Sequence, residues 1–140
     1  MANVTIDLSN RSYNKGFTYS DLKVPVSINT QKRDYDKILD VESIRNGIRN
    51  IFSWRQGERI LLPEFGNPLY HYLYKEMNNI TTNNLKAAVL NMFKWEPRVS
   101  VKSIDVVPFI EERKYEITAV YEIPALNETD VITYVINLTA

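Results

Sequence analysis

Pro97 marks the point where this 140-residue chain changes its repeat, and that change limits it to a fold with helices before strands. Proline disfavours helical geometry in the residue that precedes it, so a helix running toward Trp95 and Glu96 has to stop there. Ahead of that stop, Leu85, Ala88, Val89, Met92 and Phe93 recur at three and four, the spacing of one apolar helix face. After Arg98 the period is two. Tyr115, Ile117, Ala119, Tyr121 and Ile123 alternate with Lys114, Glu116, Thr118, Val120 and Glu122, the pattern of a strand buried on one side. Ile132, Tyr134, Ile136 and Leu138 repeat it in a final strand. From Val99 to Pro108 the apolar phase slips between Val101 and Ile104, which predicts a bulge or a bend. Glu111-Glu112-Arg113 and Asn127-Glu128 supply the hairpin connections.

Further toward the N-terminus, Val41, Ile44, Ile48, Ile51 and Phe52 form a second helical stripe, for which Asp40 is the expected N-cap. Gly57 is the expected stop, and residues 55–59 read as a loop. Ile60, Leu61 and Leu62 then read as a short buried segment closed by Pro63. Asn67-Pro68 is placed to open a short helix carrying Leu69, Tyr72 and Leu73, with proline in the first turn, and Thr82 is placed to cap the helix that ends at Glu96. Residues 1–40 are polar and rich in turn formers, with two short alternating runs, Val4-Ile6-Leu8 and Val24-Val26-Ile28. The expected architecture is α+β: about three helices followed by a three-stranded antiparallel β-meander, with an extended N-terminal arm. Residues 1–33 are assigned to the arm and 34–140 to one domain, long enough to bury a single core.

Several chemistries are excluded by what the chain lacks. Without cysteine there is no disulfide, thiolate nucleophile or Cys-based zinc site. One histidine, His71, cannot build a His-rich metal site, and the acids lack the dense spacing of a calcium loop; no cofactor is expected. Lys plus Arg and Asp plus Glu both number 17, so whole-chain charge gives no argument for nucleic acid. No run approaches the roughly 20 apolar residues that span a bilayer, and residues 1–30 hold no apolar stretch behind a basic start, so neither membrane insertion nor a secretory leader is expected. Charge is nonetheless unevenly spread. Residues 41–98 hold eight basic and five acidic side chains, whereas 99–140 hold three and seven, a bipolarity that suits charged neighbours or simply solvates two faces. The best catalytic candidate is the carboxylate pair Glu58 and Glu64, as in a glycosidase. Arg55 and Arg59 surround it, unlike the apolar pocket that keeps a catalytic acid protonated.

Three clusters are not accounted for by core packing: Gln56-Gly57-Glu58-Arg59, Pro63-Glu64-Phe65-Gly66 and Trp95-Glu96-Pro97-Arg98. Each joins a backbone-fixing Gly or Pro to charged residues able to pair bidentately. Arg59, Glu64, Glu96 and Arg98 therefore build an internal ion-pair network or display a rigid recognition surface. In this order and at this spacing, the clusters and the strands behind them resemble the baseplate wedge family of contractile phage tails, shared with type VI secretion baseplates and often labelled lysozyme-like. The resemblance covers roughly residues 34–138.

That resemblance implies a structural protein rather than an enzyme. It implies a virion subunit, made and assembled in the host cytoplasm and present in six-fold copies within the tail baseplate. Its partners would be other baseplate wedge proteins and the tail sheath protein, whose first ring would assemble by adding strands to the sheet. The family's Glu-Pro-Arg signature maps onto Glu96, Pro97 and Arg98, associated with attachment to the wedge core. The alternative is a peptidoglycan hydrolase acting during cell-envelope penetration. From the residues themselves, the last strand has no internal charge or proline from Val131 to Leu138, and only Asp130 guards its start. Edges are normally protected by such devices, so Val131, Thr133, Val135 and Asn137 are candidate docking positions unless the N-terminal arm covers them.

Overall fold

A computed structural model describes residues 16–31 and 33–138. The alternation at Val4, Ile6 and Leu8 and the terminal Thr139-Ala140 lie outside the described residues. Four short strands come first: β1 (Ser20–Leu22), β2 (Ile28–Asn29), β3 (Asp34–Tyr35) and β4 (Lys37–Leu39). Then follow α1 (Asp40–Ser53), a single 3-10 turn at Leu69–Tyr72, α2 (Asn79–Phe93), β5 (Ser100–Phe109), β6 (Lys114–Ile123) and β7 (Glu128–Asn137). The mixed helix-and-sheet class holds, but the helix count does not. Among the described residues there are two α-helices, and the helix expected after Asn67-Pro68 is one 3-10 turn. Of the alternating run Val24-Val26-Ile28 only Ile28 lies in a strand; β1 pairs with β4 and β2 with β3, both antiparallel. Position 33, the expected end of the arm, falls between β2 and β3.

β5, β6 and β7 form an antiparallel sheet in that order. The central β6 buries Tyr115, Ile117, Ala119, Tyr121 and Ile123 on one face. Onto that face pack Ile44, Ile48, Ile51 and Phe52 of α1 and Leu85, Ala88, Val89, Met92 and Phe93 of α2. The phase slip in β5 is a real bulge: Val101 pairs with Tyr121 and Ser103 with Val120, which leaves Lys102 as the extra residue. Its ammonium pairs with Glu122 on the neighbouring strand. Both hairpins close through a residue in the left-handed region, Arg113 and Asn127.

Both expected helix caps are corrected. Asp40 has φ +47° and is the first residue of α1, not its cap. That backbone turns its carboxylate outward, where Oδ1 accepts the amides of Thr18 at 2.7 Å and Tyr19 at 3.0 Å. Asp40 therefore ties the strand β1 to the start of α1. α2 starts one turn ahead of Thr82, with Asn78 as its cap accepting from the amide of Thr81 at 2.8 Å.

Asp130, expected to guard an edge, instead points inward and fastens α1 to β7. Its carboxylate receives Arg45 Nε at 2.6 Å and Nη2 at 2.9 Å, and the Tyr121 hydroxyl at 2.7 Å. These donors, Arg45 first, hold the Asp130 carboxyl down at about 2, below its ordinary 3.8. Burial and the adjacent carboxylate push the Tyr121 hydroxyl up. As pH falls, the unfolded chain takes up the Asp130 proton before the folded chain does, so the stabilisation is whole above about pH 4–5 and gone below about pH 2. Asp130→Asn should cost about 1–2 kcal/mol at neutral pH, part of the full linkage value being lost to solvent around Arg45. In urea titrations the gap between parent and variant should close as pH is lowered from 5 to 2.

Candidate interaction surfaces

The free edge of β7 is built by register. Leu138 N donates to Arg113 O at 2.8 Å, continuing the β6–β7 pairing that joins Lys114 to Asn137 and Tyr115 to Ile136. In an antiparallel ladder, hydrogen-bonded pairs alternate with non-bonded ones. The backbone groups of Ile132, Tyr134 and Ile136 are thus turned toward β6. Those of Val131, Thr133, Val135 and Asn137 are turned outward, and among the described residues no strand meets them. The four candidate docking positions are therefore the ones whose N–H and C=O groups face away from the sheet. Beside them runs a groove of about 860 Å³ between β7 and the helical layer, with Phe52, Leu69 and Tyr70 in its wall and Arg49 and Arg55 among its lining.

The Glu96-Pro97-Arg98 triplet is built differently. Glu96 is only 5% exposed, and its two carboxylate oxygens take Arg98 Nε at 2.6 Å and Nη2 at 2.7 Å. This bidentate bond raises the Arg98 guanidinium further above its ordinary value. The pair is seated on Gly47 of α1, where a Cβ would stand 2.5 Å from Glu96 Oε2 and 2.9 Å from Arg98 Nη2. Arg98 also lies 5.3 Å over the Tyr19 ring. The triplet thus joins α1, the α2–β5 junction and the segment ahead of β1, while Pro97 itself is exposed. Gly47 was missed in the sequence, although a glycine inside a helical stripe is a sign of close backbone approach.

The loop 54–67 carries the remaining two clusters. Its ends are joined by a parallel bridge between Arg55 and Asn67, with Asn67 N donating to Trp54 O at 2.7 Å and Gln56 N to Asn67 O at 3.2 Å. Further in, Gly57 N donates to Pro63 O at 2.9 Å, and Glu58 Oε2 accepts the Arg55 amide at 2.9 Å. Gly66, at φ +110°, lies so close to the Trp54 carbonyl that a Cβ would stand 2.6 Å from it. Arg59 lies 4.9 Å over the Phe65 ring, which meets Trp95 edge-on at 5.6 Å. The expected burial of Ile60, Leu61 and Leu62 is corrected. Ile60 is 95% and Leu61 90% exposed, and Leu62 is exposed too. The loop closes on its own backbone beneath them, and among the described residues nothing lies over its tip.

Glu58 and Glu64 are both exposed, so neither carboxyl has the water-excluded setting used in glycoside cleavage. His71 is exposed and stacks on Tyr70 at 4.0 Å. Among the described residues, no group of His, Asp and Glu could hold a metal ion.

A family model described as baseplate wedge protein gp25 matches residues 40–127. The match opens at the first residue of α1 and closes at the turn before β7. The baseplate wedge protein gp25 of Enterobacteria phage T4 is 31% identical over 98 residues, which span 67% of this chain and 71% of that protein. Among solved structures, a candidate tail lysozyme from Geobacter sulfurreducens superposes with a TM-score of 0.65 at 25% identity, over 74% of this chain and 96% of that one. A chain of the six-fold-symmetrised anti-feeding prophage baseplate superposes at 0.59 with 15% identity, covering 87% of each. That second likeness is one of fold.

Replacing Arg98 by Ala leaves the buried Glu96 carboxylate without its partner, a loss of about 3–5 kcal/mol. Equilibrium denaturation should show that loss in the isolated chain. Gly47→Val should be comparably damaging, since its first methyl already overlaps the pair.

Proposed function

The chain belongs to the gp25 baseplate wedge family, and on that footing we propose that it joins the wedge core and offers its β7 edge as the template for the first tail-sheath ring. Membership makes it a structural subunit of the baseplate wedge in contractile tail systems. The assignment to sheath rests on one observation: Val131, Thr133, Val135 and Asn137 present backbone groups that no strand pairs among the described residues, along a groove of about 860 Å³. Strand addition satisfies such groups and needs little from the side chains. The subunit works by contact, in six-fold copies, and the carboxylates Glu58 and Glu64 serve its loop and surface rather than cell-wall cleavage.

The wedge-facing side in this reading is the end formed by loop 54–67 and Glu96-Pro97-Arg98. Glu96 and Arg98 shape that end from within, Pro97 is at its surface, and Arg59 and Glu64 flank the apolar tip. Large exposed apolar side chains on a rigid support mark contact sites, so Ile60 and Leu61 are its anchors. The described part of the arm, residues 16–31, is fastened to the 34–140 domain, since β1 pairs with β4, β2 pairs with β3 and Asp40 holds Thr18 and Tyr19.

Val135→Pro tests the template. Its amide faces away from β6, so proline removes an edge donor and leaves the internal ladder intact. Tails carrying the variant should form complete baseplates that fail to nucleate sheath. Normal sheath on those baseplates would remove β7 as the template. Leu61→Asp tests the other end. The purified variant should keep its parent's denaturation midpoint, since the side chain is exposed, and should be excluded from assembled wedges in pull-down. Normal incorporation would mean the tip is not an anchor.

A further inference from the structure

Among the described residues, the guanidiniums of Arg49 and Arg55 take part in none of the ion pairs that hold the fold. Among the described residues neither is paired with a carboxylate. Arg45 is paired with Asp130 and Glu42, and Arg98 with Glu96. Arg49 is exposed and precedes the last turn of α1, which holds no basic residue. The helix dipole acts only over that last turn, so dipole compensation does not explain it. Arg55 is exposed and lies 5.9 Å over the Tyr70 ring, a contact that orients a guanidinium and leaves its edge donors free. Both residues line the groove together with residues 131–137 of β7.

The groove therefore makes two demands on an occupant. The backbone groups of Val131, Thr133, Val135 and Asn137 require an extended segment, because only a strand returns donors and acceptors at their spacing. Residues 131–137 offer about 23 Å of edge at 3.3 Å per residue, room for a strand of ordinary length. Two unpaired guanidiniums lining the same groove require carboxylates on the side of that strand facing the helical layer, where planar, bidentate pairing is available. We propose that the segment added to β7 is an acidic strand of the neighbouring subunit, whose carboxylates pair with Arg49 and Arg55. This rests on the edge reading above and adds the chemistry by which the right strand is chosen. Backbone pairing alone accepts almost any sequence; the two cations give it direction and selectivity.

The probe is a fluorescein-labelled ten-residue peptide alternating Val and Glu, used where it is monomeric alone, beside Val–Gln and Val–Lys versions. Anisotropy titration of the full chain should show the Val–Glu peptide binding at least tenfold more tightly than Val–Gln. The advantage should shrink as salt is raised. Arg49→Glu with Arg55→Glu should reverse the order in favour of Val–Lys, and Val135→Pro should abolish binding of all three. Equal binding of the Glu and Gln peptides, still lost with Val135→Pro, overturns the acidic strand and leaves the edge reading standing. Peptide binding untouched by Val135→Pro overturns both. No binding to the full chain, or binding that requires deletion of residues 2–15, overturns a neighbour as occupant, the latter in favour of this chain's own leading segment.

Discussion

The Glu96–Arg98 pair seated on Gly47 is the contact on which the arrangement of layers depends. Pro97 obliges the chain to leave its helix, but it does not determine the direction taken. The bidentate bond fixes that direction, because both charged groups must lie over the one position of α1 that has no side chain. With that crossing set, α1 and α2 lie side by side on the inner face of β6. A second charged group, Arg45 with Asp130 and Tyr121, fastens the same helix to the far strand. α1 is thereby tied to the α2–β5 junction through one pair and to β7 through the other. Burying such pairs is costly, and their return is a defined geometry more than net stability.

Much of this was legible from the spacing of apolar residues. The faces of α1, α2 and β6 could be read off because each buries a continuous stripe, and periodicity reports burial directly. The bulge at Lys102 was legible for the same reason, as a slip of phase. What failed was local chemistry whose meaning depends on backbone angles or on partners distant in sequence. Asp40 has the identity of an N-cap, yet at φ +47° its carboxylate serves amides more than twenty residues away. Ile60, Leu61 and Leu62 look buried by hydropathy alone. The backbone bonds that close loop 54–67 beneath them appear only once Arg55 and Asn67 are seen to meet. Asp130 reads as an edge charge until its register with Tyr121 turns it inward.

The interaction surfaces follow the same division. The edge positions Val131, Thr133, Val135 and Asn137 could be proposed from alternation, and the ladder turns those same residues' backbone outward. Glu96 and Arg98 were open to two readings, and in the folded chain they are bonded to each other, independently of any neighbour. Arg49 and Arg55 carried no motif. Their significance lies in being near β7 and unpaired, which is a property of the folded chain. The family match covers the core from α1 to the last turn and stops short of β7. The proposed docking edge is therefore argued from backbone geometry and not from the family model.

The β7 edge and the exposed tip of loop 54–67 give the proposed wedge subunit two surfaces on which to meet two different neighbours. The most direct measurement is a cryo-EM reconstruction of the assembled, sheathed particle, resolved well enough to trace the main chain around β7. A strand from a sheath subunit running beside Val131, Thr133, Val135 and Asn137, within hydrogen-bonding distance of their outward amides, is the expected result. A β7 edge that faces solvent, or one covered by residues 1–15 of the same chain, contradicts it.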